Sequence, residues 1–297
     1  MIWFSGDTER PLKLLKMRFA LHITSFQGKN YNKRFILLKK IVKRYQSISK
    51  KIDIFIHTNK NSKKFYIKNV NYICHNLKSK NPFYLSWCCR PLMEKQKNNY
   101  DGFIYSEDDI LFSKQNFNYW IQFKDSCIKE NQNLGFLRIE EKNNKFFSAD
   151  LTKKIKYYIK IKNKKFAVNN VNSYCGFWIY DKIEFKKFIK TKFWNFKWSG
   201  KNMYAFYGIR EMSAIGWHGK NMFRYENTII PLKKDDGLNS GCFVNHLTNN
   251  HALTNHPLGF GSIEKKKILE KKLLQFSKVK TESHFKKRLK YIFRKFY

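Results

Sequence analysis

A chain of 297 residues with 42% hydrophobic and 18% aromatic content carries enough apolar material for a real core, which excludes a disordered chain. Its formal net charge of +38, from 60 Lys and Arg against 22 Asp and Glu, points toward anionic partners: nucleic acid, a membrane surface or phosphorylated ligands. Abundant Lys, Asn, Ile, Phe and Tyr beside scarce Gly and Pro is also what an AT-rich genome yields, so the charge alone weighs little for a nucleic-acid role.

The N-terminal segment 1–16 carries Asp7, Glu9 and Arg10, and no apolar run in the chain reaches the ~18 residues of a membrane span, so neither secretion nor spanning is expected. From Met17 the pattern alternates. "RFALHITSF" reads as a strand, "QGKNYNKR" as a loop, and Phe35, Leu38, Ile41, Val42 and Tyr45 as the apolar face of a helix. "KIDIFIHTNK" is a second strand and "VNYICHN" a third. "FYLSWCCRPLMEKQKNN" is helical at least to the residue before Pro91, where a kink or boundary falls. "GFIYS" is a buried strand ending on Glu107, Asp108 and Asp109, and "FNYWIQFKDSCIKEN" is an amphipathic helix. Farther on, "LGFLRIEE" and "CGFWIYD" read as strands, "KIEFKKFI" and "GIREMSAIGW" as helices.

From Ile263 the sequence becomes heavily basic, with Ile268, Leu269, Leu273, Leu274 and Phe276 forming an apolar stripe of helical pattern. The chain therefore divides into the segment 1–16, a catalytic domain over 17–262, and a basic helical extension over 263–297. Six cysteines occur without a CxxC or a zinc-like spacing and read as free thiols of a reducing cytoplasm.

Alternating strands and helices argue for an α/β sandwich with a mostly parallel central sheet, in which ligands gather at the carboxyl ends of strands. The acid triplet lies at such an end. In an extended segment Glu107 and Asp109 point the same way and Asp108 faces elsewhere. Two carboxylates leaving most of a coordination sphere open suit Mg²⁺ or Mn²⁺ shared with a diphosphate. An acidic turn paired with surface lysines is the alternative.

With its strand–helix alternation leading into "FIYSEDDILF", the chain resembles the nucleotide-sugar glycosyltransferases of the glycosyltransferase A fold, a Rossmann-like sandwich whose signature is D-x-D or a variant such as E-D-D. The resemblance covers most of 17–260 in order and spacing, and no family within the superfamily is assigned. It departs from the standard motif in having Glu at the first position. It implies a nucleotide-diphosphate sugar as donor, Mn²⁺ or Mg²⁺ as cofactor, and a glycan or lipid-linked acceptor. Metal ligands would be Glu107, Asp109 and, far down the chain, His246. Donor contacts would come from His22, Thr24 and Ser25 after the first strand and from His57, Thr58 and Asn59 after the second. Arg90 would pair with a phosphate, Asp108 would contact the donor, and Tyr174, Gly176 and Trp178 would shape the sugar and acceptor pocket. Glu211, amid aromatic residues able to stack on a sugar, would be the acceptor base of an inverting enzyme.

The basic extension would hold such an enzyme peripherally at the anionic inner membrane face. A nucleic-acid-binding protein or metal-dependent nuclease is the competing reading, in which the charge tracks phosphates and the aromatics stack bases. No nucleic-acid motif supports it.

Overall fold

In the computed structural model, residues 17–77, 81–130, 132–195, 209–215, 228–254 and 256–276 are described. The segment 1–16 and the basic tail beyond residue 276 lie outside the described residues. β1 (Phe19–Thr24) is buried at every position, because its alternate residues serve two different cores. Phe19, Leu21 and Ile23 meet Leu38, Ile41, Val42 and Tyr45 of helix α1 (Tyr31–Ile48), whereas Ala20 turns toward Phe103, Tyr105 and Trp178 on the other face.

β1 lies between β2 (Ile52–Thr58) and β4 (Gly102–Glu107), parallel to both, and β3 (Asn71–Cys74) adds a fourth parallel strand. Between β3 and β4 the helical stretch breaks at Cys89 into α2 (Leu85–Cys88) and α3 (Arg90–Lys95), with Pro91 in the first turn of α3. The strand order 3-2-1-4 is that of a doubly wound nucleotide-binding half, so the fold is a Rossmann-like mixed α/β sandwich. An antiparallel strand, β11 (Phe177–Asp181), closes the sheet beside β4. Register aligns the carboxyl ends: Thr24 sits opposite both His57 and Glu107.

After β4 the chain makes a tight turn into β5 (Ile110–Leu111) and then α4 (Lys114–Lys129), whose first turn is fixed by a Ser113–Asn116 capping box. A second sheet, in the order β5-β13-β7-β8, contains β7 (Leu137–Lys142), β8 (Lys145–Ser148) and β13 (Phe243–His246). Its pairing brings the distant end of the chain to the acid triplet: His246 stands opposite Ile110, and the Leu247 amide donates to the Asp109 carbonyl at 2.8 Å. A third sheet orders β14 (Leu269–Gln275), β9 (Ile155–Ile161), β10 (Lys164–Val168), β12 (Thr228–Pro231) and β6 (Asn133–Leu134). Helices α5 (Lys182–Phe188) and α6 (Ile209–Ile215) complete the described elements.

Over 263–276, the described part of the expected helical extension, no α-helix forms. Residues 269–275 form an edge strand parallel to β9, and Ile268 is fully buried in the main core. β9 offers unpaired backbone groups at its edge, and hydrogen bonds such as Ile155 N to Ile268 O at 2.8 Å outweigh a local helical pattern. Among the described residues no helix is long and apolar enough to cross a membrane.

Candidate active site

β4 carries Glu107 as its last residue, and Asp108 and Asp109 form the turn that follows. The alternation expected of an extended triplet is therefore absent: Glu107 has partners of its own, while Asp108 and Asp109 share Arg34. All three are buried. Glu107 Oε1 accepts from the Tyr174 hydroxyl at 2.5 Å, with Arg210 Nε at 3.7 Å. Asp108 Oδ2 accepts from the Ser25 hydroxyl at 2.6 Å, and both of its oxygens are held by the Arg34 guanidinium. Asp109 Oδ2 accepts from Arg34 at 3.1 Å and lies 3.2 Å from His246 Nε2. Its other oxygen, Oδ1, is buried and has no hydrogen-bond partner. Burial pushes Glu107 up, against the pull of Arg210, and the Asp109 charge adds to the rise. Asp109 goes the other way: burial would raise it, but His246 and Arg34 hold it below the usual carboxylate range.

His246 is fixed from behind. Its Nδ1 meets Glu140 Oε1 at 2.5 Å, while Glu140 Oε2 accepts from the backbone N–H groups of His251 and Ala252 at 2.9 and 2.5 Å. Burial would depress the imidazole, but Asp109 and Glu140 together raise it to about 9. A carboxylate behind one ring nitrogen is how metal-binding histidines are oriented; the other nitrogen lies 3.2 Å from Asp109 and 2.9 Å from the Thr248 hydroxyl, and a metal ion there would displace its proton. Glu140, His246 and His251 also place ligand atoms within 4.8 Å of one another. Both Glu140 oxygens are already occupied there, which leaves the Asp109 side of His246 as the side with a free acceptor.

A cavity of about 260 Å³ opens at the carboxyl ends of β1 and β4. Glu107, Asp108, Arg34, Arg210, Tyr31 and Phe83 are among its walls, and Arg210 stacks on the Phe83 ring at 5.3 Å. Two guanidinium groups and two carboxylates thus line one cavity, Arg34 paired with Asp108 and Arg210 beside Glu107. Arg34 falls in a stretch that reads as a loop from sequence, and Arg210 has no role in that reading. Arg34 is findable in principle, because it lies in the first turn of the helix after the first strand, where anions collect in such folds.

Of the other residues singled out, Thr24 lines this cavity and contacts the Tyr105 hydroxyl at 3.2 Å. Ser25 and Tyr174 each bind one acid of the triplet. The Gly176 carbonyl accepts the Glu107 amide at 3.0 Å, and with φ of +72° and the Ile110 side chain 2.9 Å from where a Cβ would stand, only glycine fits. Glu211 is half-buried, with Arg210 Nη2 at 3.4 Å, while the flanking aromatic residues at 207 and 217 lie outside the described residues.

Packing takes five of the expected site residues away from the cavity: three donor contacts, the phosphate partner Arg90 and the pocket residue Trp178. His22 and His57 are fully buried, hydrogen-bonded to each other at 2.9 Å and onward to Gln96 and His75 at 3.0 and 2.8 Å. Burial pushes them down to about 3 and about 2, so both are neutral imidazoles inside the sheet layer. Thr58 is buried and bonds the Lys60 carbonyl, closing its own turn. Arg90 is buried among Trp87, Phe188 and Trp194 and donates to the carbonyls of Phe193, Trp194 and Ser213. Trp178 is a core residue, stacked on Tyr105 and bonded to the Ser213 carbonyl. Each looks in the sequence like a polar or aromatic group near a strand end, and each is consumed by packing. Asn59 accepts from the Gln27 amide at 2.7 Å and ties the two strand-end loops together.

No protein-family model matches this chain, and no curated protein matches it. Among solved structures it is similar to mannose-1-phosphate geranyltransferase from Thermus thermophilus, at 8% identity over 80% of this chain and 78% of that one, with a TM-score of 0.40. It is also similar to the bifunctional IspDF from Campylobacter jejuni, at 14% identity and a TM-score of 0.33. That match covers 59% of this chain and 43% of the other, so the chain spans less than half of that relative's length. Likeness at this level leaves the functional reading to the site itself.

Proposed function

We propose that this chain is a metal-dependent glycosyltransferase that moves a sugar from a nucleotide-diphosphate sugar to a glycan or lipid-linked acceptor. The observation that carries the reading is the meeting of Asp109 and His246 from 137 residues apart, with one Asp109 oxygen buried and unpartnered, beside a cavity holding two arginines. A buried carboxylate oxygen without a donor costs free energy that a bound cation would offset. Asp109, His246 and Glu107 would hold such an ion: the two carboxylates suit Mn²⁺ or Mg²⁺, the imidazole favours Mn²⁺ of the two, and the ion would supply Lewis-acid neutralisation of a leaving diphosphate.

The chain's own residues account for the rest of the proposal. Arg34 and Arg210 are forked donors matched to phosphate oxygens and would clamp the diphosphate from both sides of the cavity. Tyr174 and the Gly176 carbonyl fix Glu107, while Glu140 fixes the ring plane of His246. Glu211, paired with Arg210, is the candidate to take the acceptor proton.

Calorimetric titration of nucleoside diphosphates with and without Mn²⁺, against single-stranded RNA and DNA, tests the proposal. Mn²⁺-dependent nucleotide binding is the expected result. Metal-independent, steeply salt-dependent nucleic-acid binding with no nucleotide response would replace it with the nucleic-acid reading. Under the transferase reading Glu211→Gln keeps donor binding and slows transfer by roughly 10²-fold, measured by product formation.

A further inference from the structure

A second, larger cavity of about 500 Å³ lies between the β7–β8 hairpin and residues Ala252, Thr254, His256 and 259–262. It falls within the range of about 300–1,000 Å³ usual for small-molecule sites. The hairpin turns on Asn143 and Asn144, both with positive φ, which sets Lys142 directly opposite Lys145. Like charges directly opposite across an antiparallel pair repel. Both lysines line the cavity, no carboxylate does, and neither lysine has an ion pair among the described residues.

The remaining wall is aromatic and polar. Phe147 and Phe260 supply flat apolar faces, with the His256 ring 4.8 Å from Phe260. His256 Nδ1 accepts from the Leu258 amide at 3.2 Å, so in the neutral ring the proton sits on Nε2, a donor without a partner among the described residues. The loop is held in place by geometry only glycine allows. Gly261 has φ of +73°, and a Cβ there would lie 2.4 Å from the His251 carbonyl oxygen.

We propose that this cavity binds an anionic sugar, a uronate or a sugar phosphate, with its ring against Phe147 and Phe260 and its charge on Lys142 and Lys145. Aromatic faces select a ring with apolar C–H groups, His256 and the hydroxyls of Thr254 and Ser262 serve its oxygens, and the facing lysines require a negative charge. The site sits one imidazole away from the carboxylate cluster. The His251 ring lies 5.8 Å from that of His246 and 6.0 Å from that of His256, and its backbone N–H holds Glu140. This adds a second ligand to the transferase reading but does not depend on it.

The test is titration of the full chain, followed by calorimetry or NMR, with glucuronate, glucose 6-phosphate, glucose and inorganic phosphate. Both anionic sugars are expected to bind at least about tenfold more tightly than glucose, from charge-assisted hydrogen bonds. The double variant Lys142→Ala/Lys145→Ala should lose about tenfold for both, with its thermal transition unchanged because Lys145 is exposed, Lys142 is only half-buried and neither has an ion pair among the described residues to lose. Phe260→Leu should weaken both sugars and leave inorganic phosphate unaffected. Asp109→Asn should bind the anionic sugars as the parent does, which separates this site from the strand-end cavity. Glucose binding as tightly as glucuronate, inorganic phosphate matching glucose 6-phosphate, an unaffected lysine double variant, or loss of sugar binding in Asp109→Asn would each overturn the proposal.

Discussion

Two polar clusters stand on the same sheet and teach opposite lessons. At the ends of β1 and β4, Glu107, Asp108 and Asp109 are buried among Arg34, Arg210 and His246, so charge meets charge beside an open cavity. On the neighbouring stretch of the same strands, Gln96 and the neutral rings of His22, His57 and His75 form a hydrogen-bonded line, with His22 stacked on Phe55 at 4.8 Å. Both clusters consist of polar residues near strand ends. Among the described residues only the first carries countercharges, a cavity and an unpartnered acceptor, the three features on which the proposed ligand site rests.

The sharpest way to break this contrast is Asp109→Asn. Under the proposed function this removes a charged metal ligand, and Mn²⁺-dependent nucleotide binding is expected to weaken by 100-fold or more, on the order of 3 kcal/mol, in a chain that still unfolds cooperatively. Calorimetry with Mn²⁺ and a nucleoside diphosphate reads it, and parental affinity in the variant would remove the triplet from the site.

The histidine line predicts a pH effect instead. His22 and His57 have folded values near 3 and 2, below the unfolded value of about 6.5, so the unfolded chain binds more protons as pH falls. Stability is present in full above about pH 6.5 and is lost on acidification toward 3, by on the order of 3 kcal/mol for each histidine between pH 7 and 4, about 6 kcal/mol for the pair. Denaturant unfolding at a series of pH values checks it, and replacing His57 by Gln should flatten the slope. A profile equally steep in that variant would show that the line does not govern acid sensitivity.

Arg90→Met tests whether the buried arginine is structural. Its three carbonyl partners would lose their donor, costing about 2 kcal/mol of stability, while nucleotide affinity stays as in the parent. A selective loss of nucleotide binding at unchanged stability would move Arg90 back into the site. Asn59→Ala should have the smallest effect, about 1 kcal/mol in the thermal transition, from one lost acceptor for the Gln27 amide.

Sequence alone determined the strand–helix alternation of 17–130, the buried strand that carries the acids, and the parallel character of the central sheet. These follow from local periodicity, which a chain displays without its partners: β1 and β4 are continuous apolar runs because both faces are covered. The acid triplet was legible for the same reason, since consecutive carboxylates after an apolar strand are a local signal. Tertiary structure decided everything that depends on distant contacts. The edge of β9 drew residues 269–275 into a strand, and antiparallel pairing of β13 with β5 brought His246 to Asp109. Packing consumed Arg90, Trp178 and His22, which no spacing distinguishes from free side chains. Arg34 and Arg210 became partners of the acids only because α1 and α6 open onto the same cavity, and convergence of that kind has no period in the sequence.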